Sequence, residues 1–360
     1  MLMESLKFGA GLLALIGGAD ALVRGASRLA QRLGVSPLVV GLTIVALGTS
    51  SPEIAVSVGA ALAGNADIAV GNVVGSNVLN VLLILGVSAL IAPLLVHSQV
   101  IRQEVPIMIG TAMLLLVLAL DGSVARGEAA LLLVLAVAYA TFLLLQSRHE
   151  VADVREQYRA RMAARRVARG DWALQVLLVV VGLGLLVLGA SWLVDASGAF
   201  ARALGVSDVV IALTIVAAGT SLPEVATSIV AAVRGQRDIA VGNVVGSNIL
   251  NVLACLGLAG LVSPVGLQVA PSIMHFDMWV MIAVTLTCVP VFVSGREISR
   301  WEGAVLLAYY VAYVAYVGLG AQGHDALEAY SAIMLGFVIP LTIVGLVAAF
   351  VYPRSQPARR

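Results

Sequence analysis

Two glutamates close the same short run. Glu53 ends Gly48-Thr49-Ser50-Ser51-Pro52-Glu53, and Glu224 ends Gly219-Thr220-Ser221-Leu222-Pro223-Glu224. Thr49, Glu53 and Ser57 are spaced by four, as are Thr220, Glu224 and Ser228, so each trio stripes one helix face. Pro52 and Pro223 each remove a backbone N–H beside the carboxylate, which frees a carbonyl and breaks the helix there. A second stripe follows each run: Asn72, Ser76 and Asn80, then Asn243, Ser247 and Asn251. Carboxylate, hydroxyl, amide and main-chain oxygens, without imidazole or thiolate, are the donor set of hard cations such as Ca2+ and Na+. His97, His149, His275 and His324 lie at the ends of apolar runs or between them. Two carboxylates are neutralised by one Ca2+ or by two Na+, and competition of those ions for one pocket is antiport chemistry. Asn and Ser also hydrogen-bond transmembrane helices to one another, a reading that stays open beside the ligand one, above all for Asn72 and Asn243.

The elements that must hold these residues are apolar. Of 360 residues, 61% are hydrophobic and 11% charged, with a mean hydropathy of +1.04. Soluble domains run near ~45–50% apolar and ~25% charged, so a water-soluble core cannot hide this excess. At roughly twenty residues per crossing, the apolar runs predict spans at 8–31, 37–63, 67–92, 100–120, 126–146, 172–197, 208–233, 238–262, 275–294, 302–320 and 331–352. The ten-residue alternating strands of a membrane β-barrel are missing, so the fold class is an all-α integral membrane protein. Glu4 beside Lys7 argues against reading the first span as a signal peptide. A net charge of +1 gives no field for nucleic acid. Cys255 and Cys288 fall within spans and read as small buried hydrophobes. Glu53 and Glu224 lie deep within their spans, where an ionised carboxylate costs at least ~2.5–3.5 kcal/mol. No Lys or Arg lies at a comparable depth to pair with either.

The chain is duplicated. Asp67 through Asn77 returns residue for residue as Asp238 through Asn248, Asn80 returns as Asn251, and Gly34-Val35-Ser36 as Gly205-Val206-Ser207, always 171 residues later. Five spans separate the copies, an odd number, so the copies cross the membrane in opposite directions. Inverted repeats are the signature of secondary transporters, with the binding site between the repeats at the midplane. The expected organisation is a five-helix repeat over 1–146, a basic cytoplasmic linker over 147–171, an inverted five-helix repeat over 172–320, and an eleventh helix over 331–352. An outside N-terminus puts 18 of the 21 Lys and Arg on the cytoplasmic side and leaves Lys7, Arg126 and Arg202 outside. The C-terminus is then cytoplasmic, and the expected location is the cell (inner) membrane. Segment 147–171 reads as a connector that enforces topology, with an anionic-lipid site as the other option.

The paired Gly-Thr-Ser-x-Pro-Glu runs, each followed by Gly-Asn-Val-Val-Gly-Ser-Asn, resemble the α-repeats of the cation/Ca2+ exchanger superfamily, in its Na+/Ca2+ exchanger branch. The resemblance covers residues 8 to about 320. It implies a ten-helix core whose second, third, seventh and eighth spans hold the ions, with the first and sixth sliding across them. It also implies a divalent site of Glu53, Glu224, Thr49 and Thr220. Flanking Na+ sites would add Ser50, Ser76, Ser221, Ser247 and the main-chain carbonyls of Ala46 and Ala217. The remaining central pair is Asn80 and Asn251. Some relatives, K+-dependent ones among them, carry Asp at one of these positions; two Asn here speak against K+ coupling. The eleventh span departs from the ten-helix pattern.

The expected function is therefore a secondary active Ca2+/Na+ antiporter in a lipid bilayer, with Ca2+ and Na+ as transported ions. No cofactor, enzymatic activity or obligate protein partner is expected. The alternative within transporters is a Ca2+/H+ exchanger, whose relatives carry a Gly-Asn-x-x-Glu version of the motif. A cation channel would carry current without counter-ion exchange. An intramembrane hydrolase built on Ser50 or Ser221 lacks a mid-span histidine to act as base.

Overall fold

The structure, a computed structural model, describes residues 2–33, 35–162, 172–203, 217–321 and 326–343. Helix dominates, as it must where no water is present to bond peptide groups. In chain order the helices are α1 (Leu2–Leu33), α2 in two parts (Pro37–Thr49 and Ser51–Leu62), α3 (Ala66–Ile91), α4 (Val100–Leu118), α5 (Arg126–Met162) and α6 (Trp172–Ala203). Then follow α7, described in two parts (Ala217–Thr220 and Leu222–Val233), α8 (Arg237–Val262), α9 (Ile273–Val293), α10 (Arg300–Ala321) and α11 (Ala326–Ile343). Among the described residues nine helices are long and apolar enough to cross a bilayer, or ten when the two parts of α2 count as one bent span.

These bounds differ from the expected spans in three places. The span expected at 208–233 is described only in its later part, and Gly205-Val206-Ser207 lies outside the described residues. The span expected at 331–352 is described as far as Ile343 and begins earlier, at Ala326. Helix α5 runs on to Met162, so the stretch expected as a connector opens as helix, and 163–171 lies outside the described residues.

Local sequence explains how α2 begins and breaks. Ser36 caps its start by accepting the Val39 N–H at 3.3 Å, and Pro37, which has no N–H to lose, fills the first turn. The chain leaves helical geometry at Ser50 (φ −77°, ψ 5°) and restarts at Ser51, with Pro52 in the new first turn. The two parts meet at a 43° bend. Ser221 (φ −87°, ψ 4°) and Pro223 repeat the arrangement in α7.

Two small ladders fix how the halves face each other. Strand β1 (Leu94–Leu95), after α3, pairs antiparallel with β4 (Glu297–Ile298), after α9. Strand β2 (Ser123–Val124), after α4, pairs antiparallel with β3 (Leu267–Gln268), after α8. The loop after the third helix of each half thus meets the loop after the fourth helix of the other. Halves running in the same direction would put those loops on opposite sides, so the two halves run in opposite directions.

Burial ranks the helices. In the most apolar 18-residue stretch of each, 89% of α8 and 72% of α3 is buried, against 33% of α1 and of α6 and 11% of α10. Helices α3 and α8 are the centre, and α1 and α6 form a layer beside it. That layer is held by backbone contact: a Cβ added at Gly182 would lie 2.7 Å from the Leu22 nitrogen, and one at Gly18 would lie 2.8 Å from the Gly182 carbonyl. Small residues of this kind let membrane helices touch main chain to main chain.

Gly182→Ala should destabilise the protein by about 1–3 kcal/mol through overpacking. Gly184→Ala, whose Cβ meets nothing within 4 Å, should be neutral or gain up to ~1 kcal/mol of helix propensity. Thermal melting in detergent compares the two variants, and equal midpoints would contradict the α1–α6 contact.

Candidate functional site

The breaks in α2 and α7 bring two helix N-termini together at the centre. Glu53 and Glu224 each sit in the first turn of the restarted helix, where unpaired N–H groups and the helix dipole favour negative charge. Both side chains are buried, each 1% exposed. Their hydroxyl partners are crossed between halves. Ser221 Oγ donates to Glu53 Oε1 at 2.9 Å, and Ser50 Oγ donates to Glu224 Oε1 at 3.1 Å. The second oxygen of each carboxylate, Oε2, has no hydrogen-bond partner.

The α3 and α8 stripes close the site from the other side. Asn80 and Asn251 each use Nδ2 as a donor, to Asn248 Oδ1 at 2.9 Å and Asn77 Oδ1 at 3.1 Å, and leave their own Oδ1 buried and unpartnered. Ser247 Oγ is buried without a partner as well, whereas Ser76 Oγ lies 3.1 Å from Ser221 Oγ, close enough to donate its own O–H to it. Buried polar atoms left unpaired cost about 1–3 kcal/mol each. Here four acceptor-only oxygens, one each from Glu53, Glu224, Asn80 and Asn251, share that condition.

The other expected residues fall one step outward. Asn72 Nδ2 donates to Ser57 Oγ at 3.1 Å while its Oδ1 accepts from Thr220 Oγ1 at 3.4 Å. Asn243 Nδ2 donates to Ser228 Oγ at 3.0 Å while its Oδ1 accepts from Thr49 Oγ1 at 3.0 Å. Each of these asparagines uses both ends of its amide to tie α2 to α7, so in this structure they hold helices together. Ser57 and Ser228 are engaged with them. The Ala46 carbonyl accepts the Ser50 N–H at 3.0 Å and lies 3.3 Å from Thr49 Oγ1. Ala217 opens the described part of α7.

Sequence reasoning passed over three residues. Asn77 and Asn248 lie one place off the four-residue stripe, although both belong to the stretch repeated residue for residue. Cys255, read as a buried hydrophobe, donates its S–H to the main-chain carbonyl of Glu53 at 3.4 Å. Its position in the repeat is occupied by Ile84 in the other half, so nothing in the duplication marks it.

Around these carboxylates the donors are oxygens, and the ion pairs of the described residues join Lys7 to Asp195 and Asp20 to both Arg24 and Arg234, away from the site. Two buried carboxylates without a cationic partner among the described residues are costly unless a cation joins them.

Comparison with known proteins agrees with this geometry. The family model described as sodium/calcium exchanger protein matches residues 5–145 and 174–319. Sodium/calcium exchanger MaX1 of Methanosarcina acetivorans is 37% identical over 335 residues, covering 84% of this chain and 95% of MaX1. Inner membrane protein YrbG of Escherichia coli is 36% identical over 286 residues, covering 79% of this chain and 87% of YrbG. The solved structure of the sodium-calcium exchanger NCX_Mj soaked with Na+ and Ca2+ superposes with a TM-score of 0.75 at 30% identity, covering 88% of this chain and 98% of that one. Matched across both halves and over nearly the whole length of its relatives, this chain belongs to the sodium/calcium exchanger family of multi-pass membrane proteins.

Proposed function

We propose that the protein is a secondary active antiporter that exchanges Ca2+ for Na+ by alternating access, with the ions held between the two halves. The observation that carries the reading is the set of four unpartnered, buried acceptor oxygens, two of them on carboxylates that pair with no cationic side chain among the described residues. One Ca2+ or two Na+ neutralise Glu53 and Glu224, so the two ions compete for the same charge. On this reading Thr49, Thr220, Ser50, Ser221, Ser76 and Ser247 would supply hydroxyl oxygens, and the Ala46 and Ala217 carbonyls would complete the Na+ positions. The family match and the MaX1 and NCX_Mj relatives favour Na+ over H+ as counter-ion.

The proposed organisation is one half over 1–146 and an inverted half over 172–320, joined by 147–171 on the cytoplasmic side, in the cell (inner) membrane. Eighteen of the 21 Lys and Arg support an outside N-terminus. Helix α11 would return the chain to the cytoplasm. It packs on α10 through Tyr309 Oη to Thr342 Oγ1 at 2.7 Å and Tyr330 Oη to the Ala312 carbonyl at 2.8 Å. Those contacts are remote from the site, so transport is assigned to α1–α10.

Each carboxylate is needed to neutralise the divalent ion. Glu53→Gln and Glu224→Gln should each abolish Na+-gradient-driven Ca2+ uptake into proteoliposomes while the protein stays folded by size-exclusion chromatography. Near-normal uptake by both variants would rule out this site.

Potassium should be irrelevant, because Asn80 and Asn251 add no charge to hold it. Uptake measured at fixed membrane potential is expected to be the same with K+ or choline as the balancing cation. A Na+-driven flux that disappears without K+ would show a coupled third ion.

Charge also sets the electrical signature. One Ca2+ leaves the loaded pair of carboxylates neutral, two Na+ do the same, and a third Na+ makes the site net positive. A three-for-one exchanger therefore moves one charge per cycle, worth about 2.3 kcal/mol per 100 mV. We expect three-for-one, from the four-site layout that the family resemblance implies and whose oxygen ligands are all present here, and so a faster Ca2+ extrusion when the cytoplasmic side is negative. Exchange in liposomes clamped with K+ and valinomycin tests this, and a rate indifferent to potential would point to two-for-one.

A further inference from the structure

Asn77 on α3 and Asn248 on α8 face each other across the centre and are buried, 4% and 1% exposed. Asn77 Nδ2 donates to the main-chain carbonyl of Asn248 at 3.2 Å, and Asn248 Nδ2 donates to the main-chain carbonyl of Asn77 at 3.4 Å. Each amide nitrogen also touches a thioether sulfur, Met281 Sδ at 3.7 Å and Met108 Sδ at 3.6 Å respectively. The π-helical turns that begin at Asn80 and Asn251 widen the backbone at this level, a device frequent at functional sites.

The consequence is a fixed polarity. The two ends of an asparagine amide are nearly alike in size and shape, so hydrogen-bond partners alone decide which end points where. A main-chain carbonyl and a thioether only accept, so the NH2 groups of Asn77 and Asn248 must face them. Their Oδ1 atoms then point the other way, and an oxygen there demands a donor. Asn251 answers Asn77 Oδ1 with its Nδ2 at 3.1 Å, and Asn80 answers Asn248 Oδ1 with its Nδ2 at 2.9 Å. The amide oxygens of Asn80 and Asn251, turned away from these bonds, are the two that have no partner.

We propose that Asn77 and Asn248 are positioning residues that lock the side-chain amides of Asn251 and Asn80 with oxygen, rather than nitrogen, toward the transported cation. The proposal rests on the reading of the site as a cation pocket. A flipped amide would aim two N–H dipoles at a positive charge, so the lock turns a neutral, ambiguous side chain into a dependable ligand. The instruction originates in backbone carbonyls of α3 and α8, each of which reads the polarity into the opposite half.

A carboxylate has an oxygen at both ends and needs no such instruction, which gives the test. Ca2+ KM and maximal rate are measured in proteoliposomes for Asn77→Ala, Asn251→Asp and the double variant. Asn77→Ala should raise the Ca2+ KM about tenfold, the size of one lost polar ligand, with a smaller change in maximal rate. In the Asn251→Asp background the same truncation should cost no more than about twofold, or lower the KM by removing an oxygen that faces the new carboxylate. The same penalty in both backgrounds would mark Asn77 as mere packing and overturn the proposal. Asn248→Ala with Asn80→Asp carries the same cycle on the other half if Asn77→Ala does not fold. Should Asn251→Asp and Asn80→Asp alone leave the Ca2+ KM unchanged, the cation pocket itself is wrong and the lock falls with it. A KM that responds to those charges but shows additive penalties removes the lock alone.

Discussion

Two buried carboxylates without a cationic side chain impose the terms on everything around them. Glu53 and Glu224 would be intolerable in an apolar interior unless their charge were spread or shared. The chain spreads it by breaking a helix beside each one, so that a helix N-terminus and its free N–H groups stand at the acid. It shares it by crossing the serines, with Ser221 bonded to Glu53 and Ser50 to Glu224. One oxygen of each carboxylate is thereby settled by the opposite half, and the other has no hydrogen-bond partner. Neither half can make this site alone.

Inverted duplication is the economical way to supply two such ends. A helix N-terminus points in one direction, so two of them converge on one midplane point only when their helices enter from opposite sides. The ladders β1–β4 and β2–β3 hold the halves in that relation at the two ends. Inside, α3 and α8 carry the amides and hydroxyls, and their heavy burial keeps those groups in fixed positions. Close approach makes this possible: a Cβ at Gly246 would lie 2.6 Å from the Leu42 carbonyl, so α8 lies backbone to backbone on the first part of α2.

Much of this was legible in the sequence because its causes are local. Hydropathy marks the spans, proline beside glutamate marks the breaks, and the 171-residue recurrence marks inversion through an odd helix count. What was not legible depends on partners remote in sequence. Asn72 and Asn243 could be ligands or ties between helices, and the ties become visible only with the positions of Ser57, Thr220, Ser228 and Thr49. Asn77 and Asn248 are silent in a four-residue stripe, since their role depends on carbonyls of the opposite half. The extension of α5 to Met162 eluded hydropathy because residues 147–162 are rich in charge and offer no apolar run to announce a helix.

The halves that share the site so evenly are uneven at its edge. Helix α1 is tied to the end of α7 by Asp20, which pairs with Arg234 and with Arg24, and by Ser27 Oγ donating to Gln236 Oε1 at 3.1 Å. The positions related by the repeat hold Ser191, Ala63 and Gly198, which cannot form those ties. Such partly exposed ion pairs are weak, typically ~0.2–1 kcal/mol, whereas the α1–α6 seam is closed backbone to backbone and tolerates no added Cβ at Gly18 or Gly182. Alternating access requires one body to move against another without disturbing the ligands between them. The α1–α6 pair is closed main chain to main chain on itself, whereas it meets α2 and α7 through side chains, Leu183 against Gly48 and Val194 against Gly219. On the proposed reading, the oxygens on α2, α3, α7 and α8 would stay in place while α1 and α6 move together, the sliding that the family resemblance implies.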